Sequence, residues 1–420
     1  MEFGLTADHI RIQTVARQLA ADFATRAAEH DRDGSPPKEN YAALRDAGFY
    51  GLVVPKEYGG QEAGLLGYTI AAEEIAQGCA STALSFNMHA ATLASLMHSA
   101  LPDEMKKWVA ELATKQDKLI AAILSEPSTT SIVPMTYACS TRARRVSGGY
   151  RLSGKKSFCS MGESSDYLCL FAHPEEIANP QTALVAVVPT DSPGVRFEHV
   201  WDTLGMRATR SDNLILEDCF VPDEAILGEP IPKIGEWLAT NEPSFNIPYT
   251  AVYLGVGFAA LSAIKDNVTQ RQPKGYGQPL AYHPDIRRRV AMMSAQLEAA
   301  RWLLRYVAWL ADEAYERQRY TDRPKQYGTT VEGQTAEVLA TYFKAKYIVG
   351  EAVTAATRSA LEMGGGHAIF KTSALERLFR DGATATMQHP PSDFCLSSLS
   401  VHELQLDPQQ IQPPLAQIWE

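Results

Sequence analysis

A stretch with strand-like patterning divides this chain into three parts and constrains its fold more than any other feature. Within residues 120–233, short apolar runs alternate with Gly, Pro and Asp turns, for example at 166–172, 183–188 and 214–221. Runs of this length between turn residues favour β-strands. The stretch is therefore expected to form a β domain between two segments of different character.

The segments on either side have helical periodicity. In residues 1–119, apolar side chains recur at three- to five-residue steps with charged residues between them, a spacing typical of amphipathic helices. Residues 234–395 contain two long patterns of heptad type, which suit an antiparallel helical bundle. The apolar positions of these patterns are Ile286, Val290, Met293, Leu297, Leu304 and Val307, then Val338, Tyr342, Ala345, Val349, Ala352 and Ala356.

These patterns predict an α+β fold that is mainly α. The expected order is an N-terminal helical domain at 1–119, a middle β domain at 120–233, a C-terminal helical bundle at 234–395 and a tail at 396–420. The end of the tail, 404–420, is rich in Gln and Pro, a composition typical of poorly ordered segments.

Composition argues against several classes of function. The net charge is −10 and the Lys and Arg residues are scattered, so we expect no nucleic-acid partner. The six cysteines lie far apart without a CxxC pair, which argues against a zinc site or a disulfide framework and favours a reducing, cytoplasmic location. The N-terminal residues lack a signal-peptide pattern, and no run of about 18 apolar residues occurs, so we expect no membrane span.

A glycine run near the end of the bundle is the most distinctive local feature. Gly364-Gly-Gly366 follows a helical pattern and allows a sharp turn or a close approach of the backbone to another group. Farther on, His389 precedes Pro390, which disfavours helical dihedrals at the histidine. Taken alone, this stretch indicates a helix cap and a surface turn that carries a titratable side chain.

Four short motifs occur in a consistent order along the chain. They lie at Leu44–Gly60, at Ser125–Ser131, at Gly154–Ser160 and at Leu204–Pro222. In this order they resemble the signature sequences of the acyl-CoA dehydrogenase superfamily of flavoproteins, along about residues 1–395. The resemblance implies that family's fold, with N-terminal helices, a β-barrel-like middle domain and a C-terminal four-helix bundle, and it implies an FAD cofactor.

The resemblance also implies flavin contacts from the middle domain. Leu124 and Ser125 match positions that bond the pyrimidine side of the ring, and Ser131 matches a hydroxyl on the pyrophosphate. Phe158 stands where the family has a tryptophan near the isoalloxazine, and it keeps an apolar wall there. Ser160 replaces the threonine that hydrogen-bonds near N5.

Further cofactor contacts are implied in the C-terminal block. Arg271 matches the arginine that reaches the diphosphate of the neighbouring subunit's FAD, an anion suited to a guanidinium. The loop after it is two residues longer than usual, which places Lys274 to share this role. Gly364 and Gly365 match the glycine pair that lets the backbone close on FAD, whereas Leu361 stands where the family has a glutamine.

The catalytic base is where the chain departs from the family. Counting nine residues from Arg380 places His389 at the position of the usual glutamate. The alternative base position in the bundle falls near Phe245 and Asn246, which are not acidic, and Glu242 lies one turn away. A neutral imidazole can accept a proton at pH 7, so His389 is the first candidate base and Glu242 the second.

Three functions follow from this departure. The preferred one is α,β-oxidation of an acyl thioester, on CoA or a carrier protein, with hydride transfer to FAD and an electron-transfer flavoprotein or oxygen as acceptor. The second is a flavin-dependent monooxygenase on the same fold, which needs no α-proton base. The third is a member that binds flavin or thioester without turnover. The resemblance further implies a homodimer or homotetramer.

Overall fold

The structure is a computed structural model, and it describes residues 5–99, 101–127, 138–319 and 334–406. The N-terminal block is helical, as predicted. Thr6 caps the first helix because its hydroxyl accepts a hydrogen bond from the His9 amide at 3.3 Å. The helices of this block are α1 (Ala7–Ala24), α2 (Ala27–Asp33), α3 (Lys38–Asp46), α4 (Gly64–Gly78), α5 (Ala80–His98) and α6 (Asp103–Thr114).

Helices α4 and α5 form the centre of this block and are almost entirely buried. Close packing of α4 against α1 depends on Gly78, where a Cβ would lie 2.0 Å from the Ala20 carbonyl oxygen. The first amides of α4 are capped from the C-terminal block: Leu65 and Leu66 donate to the Asp312 carboxylate at 2.6 and 2.9 Å. These contacts join the beginning and the end of the chain into one core.

The middle block is a curled seven-stranded sheet with the order β1-β4-β2-β3-β7-β6, and β5 pairs with β4 outside this path. Strand β4 is the central element because it pairs in parallel with β1 and β2 and antiparallel with β5. The strands are β1 (Ile120–Ile123), β2 (Arg142–Val146), β3 (Gly149–Lys156), β4 (Tyr167–Pro174), β5 (Leu184–Pro189), β6 (Val195–Glu198) and β7 (Asn213–Pro222).

The C-terminal block is a helical bundle centred on one long helix. That helix, α9, packs against the two other long helices and against the two short ones that follow it. The predicted apolar positions of both heptad patterns lie on α8 and α9, and those of α9 are buried. The bundle consists of α7 (Ile234–Gln270), α8 (Pro284–Arg319), α9 (Gln334–Gly364), α10 (Ala374–Ala383) and α11 (Ser392–Glu403).

The predicted fold class is therefore confirmed: helices, a curled sheet, then a helical bundle. The residue boundaries of the three domains stay predictions. Helix α11 runs across the expected start of the tail at residue 396. Residues 407–420 lie outside the described part of the chain.

One segment of α7, Pro243–Gln270, is long and apolar enough to cross a membrane. Its sequence contains no long uninterrupted apolar run, because hydroxyl groups and glycines are scattered along it. Its most apolar window is 78% buried inside the protein. The apolarity of this segment is thus explained by its place in the core between α4, α5 and α9.

The middle block docks on α10 through Gly205. A Cβ at Gly205 would lie 2.4 Å from the Arg380 carbonyl oxygen, so only glycine permits this approach. Next to it, the Met206 amide donates to the buried Asp381 carboxylate at 2.7 Å. Arg380 in turn binds Asp31 of α2 at 3.0 Å, and all three blocks therefore meet at this point.

Candidate functional site

His389 lies in the turn between α10 and α11, where the sequence places a rigid corner. Its side chain is largely enclosed. Burial lowers the pKa of His389 to about 4, and the nearby Lys346 ammonium acts in the same direction. The imidazole is therefore neutral at pH 7 and keeps a nitrogen lone pair with which it can accept a proton.

Lys346 is a functional candidate that sequence reasoning missed. It projects from α9 with only 1% of its surface exposed, and its Nζ donates to the Ala385 carbonyl at 2.8 Å. Burial lowers its pKa to about 8. A signal was present in the sequence, because Lys346 lies four residues after Tyr342 and three before Val349, a spacing that places it on the same face of α9.

The residue before His389 anchors the turn to α7. Tyr253 donates to the Gln388 side-chain oxygen at 3.4 Å, and Thr384 donates to the Tyr253 hydroxyl at 3.2 Å. Tyr249, one turn earlier on α7, is also hydrogen-bonded to Gln388. This network brings α7 next to the histidine turn.

The second candidate base, Glu242, lies on α7, four residues before Asn246. Its side chain is outside the described residues. Asn246 is buried and Phe245 is partly buried, so this face of α7 belongs to the core. The role of Glu242 stays a prediction.

The predicted flavin contacts of the middle block come from two neighbouring strand ends. Leu124 and Ser125 follow β1, and the Ser125 carbonyl accepts a hydrogen bond from the Ser157 amide, just after β3, at 3.0 Å. The next residue, Phe158, has φ of +54° and leaves 65% of its surface exposed. Trp201 holds the Phe158 ring edge-to-face with centroids 5.9 Å apart. A large apolar ring therefore lies exposed at the surface of the sheet, with Trp201 against it.

Ser160 lies behind this ring and begins a chain of buried hydroxyls. Its Oγ is 2.7 Å from Ser211 Oγ, which is 2.7 Å from Thr209 Oγ1. Thr209 then donates to the Met206 carbonyl at 2.9 Å. When Thr209 and Ser211 donate along this direction, the Ser160 oxygen is left with an acceptor site for an incoming donor.

Arg271 and the glycine run meet at a surface pocket of about 390 Å³. The Arg271 Nη1 donates to the Gly364 carbonyl at 2.9 Å, and Gly365 has φ of +68°. The Asn267 side-chain oxygen is buried in the same wall without a hydrogen-bond partner. Lys274 is exposed in the turn that follows Arg271. The structure thus brings the predicted arginine and glycines together.

These groups fit a flavin. The Phe158 ring offers a flat apolar wall and Ser160 a hydrogen-bonding group for the ring of one flavin. The Arg271 guanidinium suits a phosphate, and the unpartnered Asn267 oxygen can accept a hydrogen bond; by the resemblance this second group faces the neighbouring subunit's cofactor. No hydrogen bond links Arg271 to the strand-end group in the part of the chain that the structure describes. Ser131 lies in 128–137, outside the described residues.

The arrangement of His, Cys, Asp and Glu side chains bears on metal binding. Within residues 5–99, 101–127, 138–319 and 334–406, no group of three or more His, Cys, Asp or Glu side chains is arranged to hold a metal ion. The cysteines in these ranges are all buried, and none of them forms a disulfide.

Comparison with known families supports the three-block organisation. The acyl-CoA dehydrogenase N-terminal domain model matches residues 6–116, the middle domain model matches 121–219 and the C-terminal domain model matches 248–390. The three matches follow one another in the family's order and together cover most of the chain.

Individual proteins of similar sequence are also named as acyl-CoA dehydrogenases. The chain is 28% identical over 384 residues to the putative acyl-CoA dehydrogenase YdbM of Bacillus subtilis (strain 168), covering 90% of this chain and 92% of that protein. It is also 28% identical over 385 residues to the mitochondrial short-chain specific acyl-CoA dehydrogenase of Bos taurus, covering 90% and 86%.

A solved structure shows the same fold. FMN-bound TdsC from Paenibacillus sp. A11-2 superimposes with a TM-score of 0.82 at 24% identity, and the match covers 94% of this chain and 97% of TdsC. The same family is therefore indicated by the three domain matches, by two relatives that align with nine-tenths of the chain, and by the shared fold. The chain belongs to the acyl-CoA dehydrogenase superfamily and, by that membership, is a flavoprotein oxidoreductase.

Proposed function

We propose that this protein oxidises an acyl thioester, carried on CoA or on a carrier protein, with FAD as cofactor. The α-proton of the substrate passes to His389, and the β-hydrogen leaves with its electron pair, so that a carbon–carbon double bond forms. Bound FAD supplies the acceptor for that hydride. The observation that carries the proposal is a partly buried imidazole at the position of the family base, kept neutral at pH 7 by its enclosure and by the nearby Lys346. The names of both sequence relatives support the same substrate class.

The transfer of the substrate α-proton to His389 depends on the charge of the neighbouring Lys346. The neutral imidazole accepts the α-proton, and the resulting imidazolium faces the Lys346 ammonium from α9. Two like charges in an enclosed site disfavour each other. The imidazole therefore accepts a proton more readily once Lys346 is neutral, and the pKa of Lys346, about 8, sets the pH at which this occurs.

Anaerobic mixing of the flavin-loaded protein with a panel of acyl-CoA and acyl-carrier thioesters tests the proposal. A matching thioester is expected to bleach the flavin absorbance. His389→Ala is expected to abolish this bleaching while the flavin stays bound, and Glu242→Gln serves as the comparison. Unchanged reduction kinetics in His389→Ala would remove the histidine from the mechanism, and loss of reduction in Glu242→Gln alone would assign the role to the glutamate.

FAD rather than FMN is proposed because of the pocket at Arg271. FMN carries a single phosphate, whereas the diphosphate that the resemblance assigns to Arg271, on the neighbouring subunit's cofactor, is present only in FAD, and Lys274 is placed to share it. Arg271→Ala is expected to weaken FAD binding at least tenfold and to change FMN binding less than twofold, measured by quenching of flavin fluorescence. Lys274→Ala is expected to have a smaller effect in the same direction. Equal losses for both flavins would contradict the assignment.

A flavin-dependent monooxygenase is the second candidate, and the low pKa of His389 favours it. A group with a pKa of about 4 binds a proton weakly, and oxygenation needs no α-proton acceptor. TdsC, which shares the fold, is described as a dibenzothiophene monooxygenase. If no thioester bleaches the flavin but the reduced protein hydroxylates a small aromatic or heteroatom substrate with oxygen, this candidate replaces the first. A protein that takes up no flavin would exclude both.

Location and partners complete the proposal. We place the protein in the cytoplasm, since its described cysteines are buried thiols that form no disulfide. An electron-transfer flavoprotein or oxygen reoxidises the cofactor, and the protein acts as a homodimer or homotetramer. Large exposed apolar side chains on α8, at Met292, Trp302, Tyr306 and Trp309, support this assembly.

A further inference from the structure

Glu126 and Lys156 form an ion pair whose two side chains are completely buried, each with 0% exposure. The Lys156 Nζ lies 2.6 Å from Glu126 Oε1 and also donates to the Phe171 carbonyl at 2.6 Å. Thr141 donates to the same carboxylate through its amide at 3.1 Å and its hydroxyl at 2.7 Å, and Ser140 donates to Oε2. Both charges are therefore well satisfied.

These contacts join four segments of the middle block. Glu126 follows β1, Ser140 and Thr141 lead into β2, Lys156 ends β3, and Phe171 lies on β4. Burial alone would raise the pKa of Glu126, but the Lys156 ammonium and these hydrogen bonds hold it below its usual value. The carboxylate is therefore ionised at pH 7, and the site contains two full charges rather than a shared proton.

The pair is directly connected to the proposed flavin contacts. Leu124 and Ser125 immediately precede Glu126, and Phe158 follows Lys156 by two residues. A backbone hydrogen bond from the Ser157 amide to the Ser125 carbonyl joins the same two segments, the one after β1 and the one after β3. Replacing a buried ion pair by apolar residues of similar size is often neutral for stability, so stability alone does not explain two charges at this place.

We propose that Glu126 and Lys156 are positioning residues for the flavin, which hold the ends of β1 and β3 next to each other and balance the electrostatic potential at the ring. This inference rests on the flavin site proposed above. Reduced flavin carries a negative charge, and charges act over several ångströms in a buried setting. An unbalanced Lys156 ammonium stabilises the reduced form, and an unbalanced Glu126 carboxylate destabilises it.

The reduction potential of the bound flavin tests the electrostatic part. Redox titration of Glu126→Gln is expected to shift the equilibrium toward reduced flavin at least tenfold, equivalent to about 30 mV for two electrons. Lys156→Met, titrated well above neutral pH so that the unpaired Glu126 carboxylate is ionised, is expected to shift it at least tenfold the opposite way, and Lys156→Arg to keep the wild-type value. Lys155→Met is the matched control, because the neighbouring Lys155 is partly exposed and pairs with Glu198 at 2.6 Å. Its shift is expected to stay below twofold.

The positioning part is tested by the double variant Glu126→Leu/Lys156→Met, which buries no unpaired charge and keeps the fold testable if a single variant does not fold. Its ligand-free form is expected to melt as cooperatively as the wild type, while flavin affinity falls at least tenfold. Single variants that shift the potential in the same direction, or no more than Lys155→Met, would overturn the proposal, as would unchanged flavin affinity in the double variant. A wild-type protein that binds no flavin would instead refute the proposed function.

Discussion

The protonation states of His389 and Lys346 are coupled, because a positive charge on one side chain disfavours a positive charge on the other. The imidazole is kept neutral by burial and by the lysine, and the lysine is itself enclosed with a lowered pKa of about 8. Near pH 7 the single charge of the pair resides on Lys346. An enzyme that deprotonates its substrate through His389 consequently works best where the lysine has begun to lose its proton.

Lys346→Met is expected to raise the pKa of His389 from about 4 toward its ordinary value, because the opposing ammonium is removed while burial remains. Exchange of the histidine C2 hydrogen, followed by mass spectrometry from pH 4 to 8, measures this pKa without turnover. Lys344→Met is the control, since Lys344 lies on the same helix but is partly exposed and pairs with Glu403 at 2.7 Å. An identical His389 profile in both variants would contradict the coupling.

The same pair predicts a pH dependence of stability. The folded-state pKa of His389, about 4, lies below the ordinary 6.5, so the unfolded chain binds this proton first. Stability contributed by the neutral imidazole is present above pH 6.5 and is lost as the pH falls toward 4. His389→Gln is expected to flatten the fall of the unfolding midpoint over this range, as measured by circular dichroism.

Single residues were only partly predictable from the sequence. The resemblance placed His389, Phe158, Ser160 and Arg271, but their roles stay predictions. Lys346 was missed because a periodic pattern indicates only that a position faces the core. It does not indicate that the turn after α10, with the Ala385 carbonyl, packs onto this lysine. The Glu126–Lys156 pair was missed for a similar reason, since its partners lie on strands whose pairing the local sequence does not encode.

Among the elements, α8 shows an apolar stripe on its outer face. Met292, Trp302, Tyr306 and Trp309 are 43–47% exposed. Together with the exposed Ala295 and Ala299, they recur at three- and four-residue steps over five turns, the spacing of a coiled-coil seam. A second copy of this helix, antiparallel to the first, would present the same stripe and cover it.

Trp309→Glu is expected to break the oligomer, because a charge would be buried at the seam. Sedimentation velocity measures the mass, which is expected to fall to half that of the wild type: one chain of 46.1 kDa from a dimer, or two chains from a tetramer. Gln296→Glu introduces the same charge at an exposed position of α8 outside the stripe and is expected to keep the wild-type mass. An unchanged mass for Trp309→Glu would exclude this face as the contact.

The long helices were predictable because many residues repeat the same spacing. Strand β2 was not, since Arg142–Val146 contains three arginines and only one fully buried apolar side chain, Ala143. It forms because β3 follows after a tight turn and supplies antiparallel pairing along its length. Pro243 and Pro248 lie inside α7, where local rules predict a break and tertiary packing against α4 and α9 prevails.

For the molecule as a whole, the junction at Gly205 holds the three blocks together. Gly205→Ala is expected to destabilise the protein by about 1–3 kcal/mol or more, because its methyl group would overlap the Arg380 carbonyl. Chemical unfolding measures this loss. Gly366→Ala is the matched control, since its Cβ would meet no atom within 4 Å. Equal unfolding midpoints for the two variants would show that the contact between Gly205 and Arg380 can widen without loss of folding free energy.

Block order could be predicted from patterning, and the family resemblance supplied the sheet and the bundle. The contacts between blocks could not, because residues such as Met206 and Asp381 are 175 positions apart and nothing in either segment specifies the other. Such pairings depend on the complete tertiary arrangement rather than on local preference.

The distance along the chain between these partners has a consequence for synthesis. Asp31 pairs with Arg380, 349 residues later, and the first amides of α4 are capped by Asp312, 247 residues after Leu65. A ribosome must therefore release most of the chain before the N-terminal helices can complete their contacts. Long-range pairing slows folding, so nascent N-terminal segments expose apolar surface for a long interval, and we expect chaperones to bind them during translation.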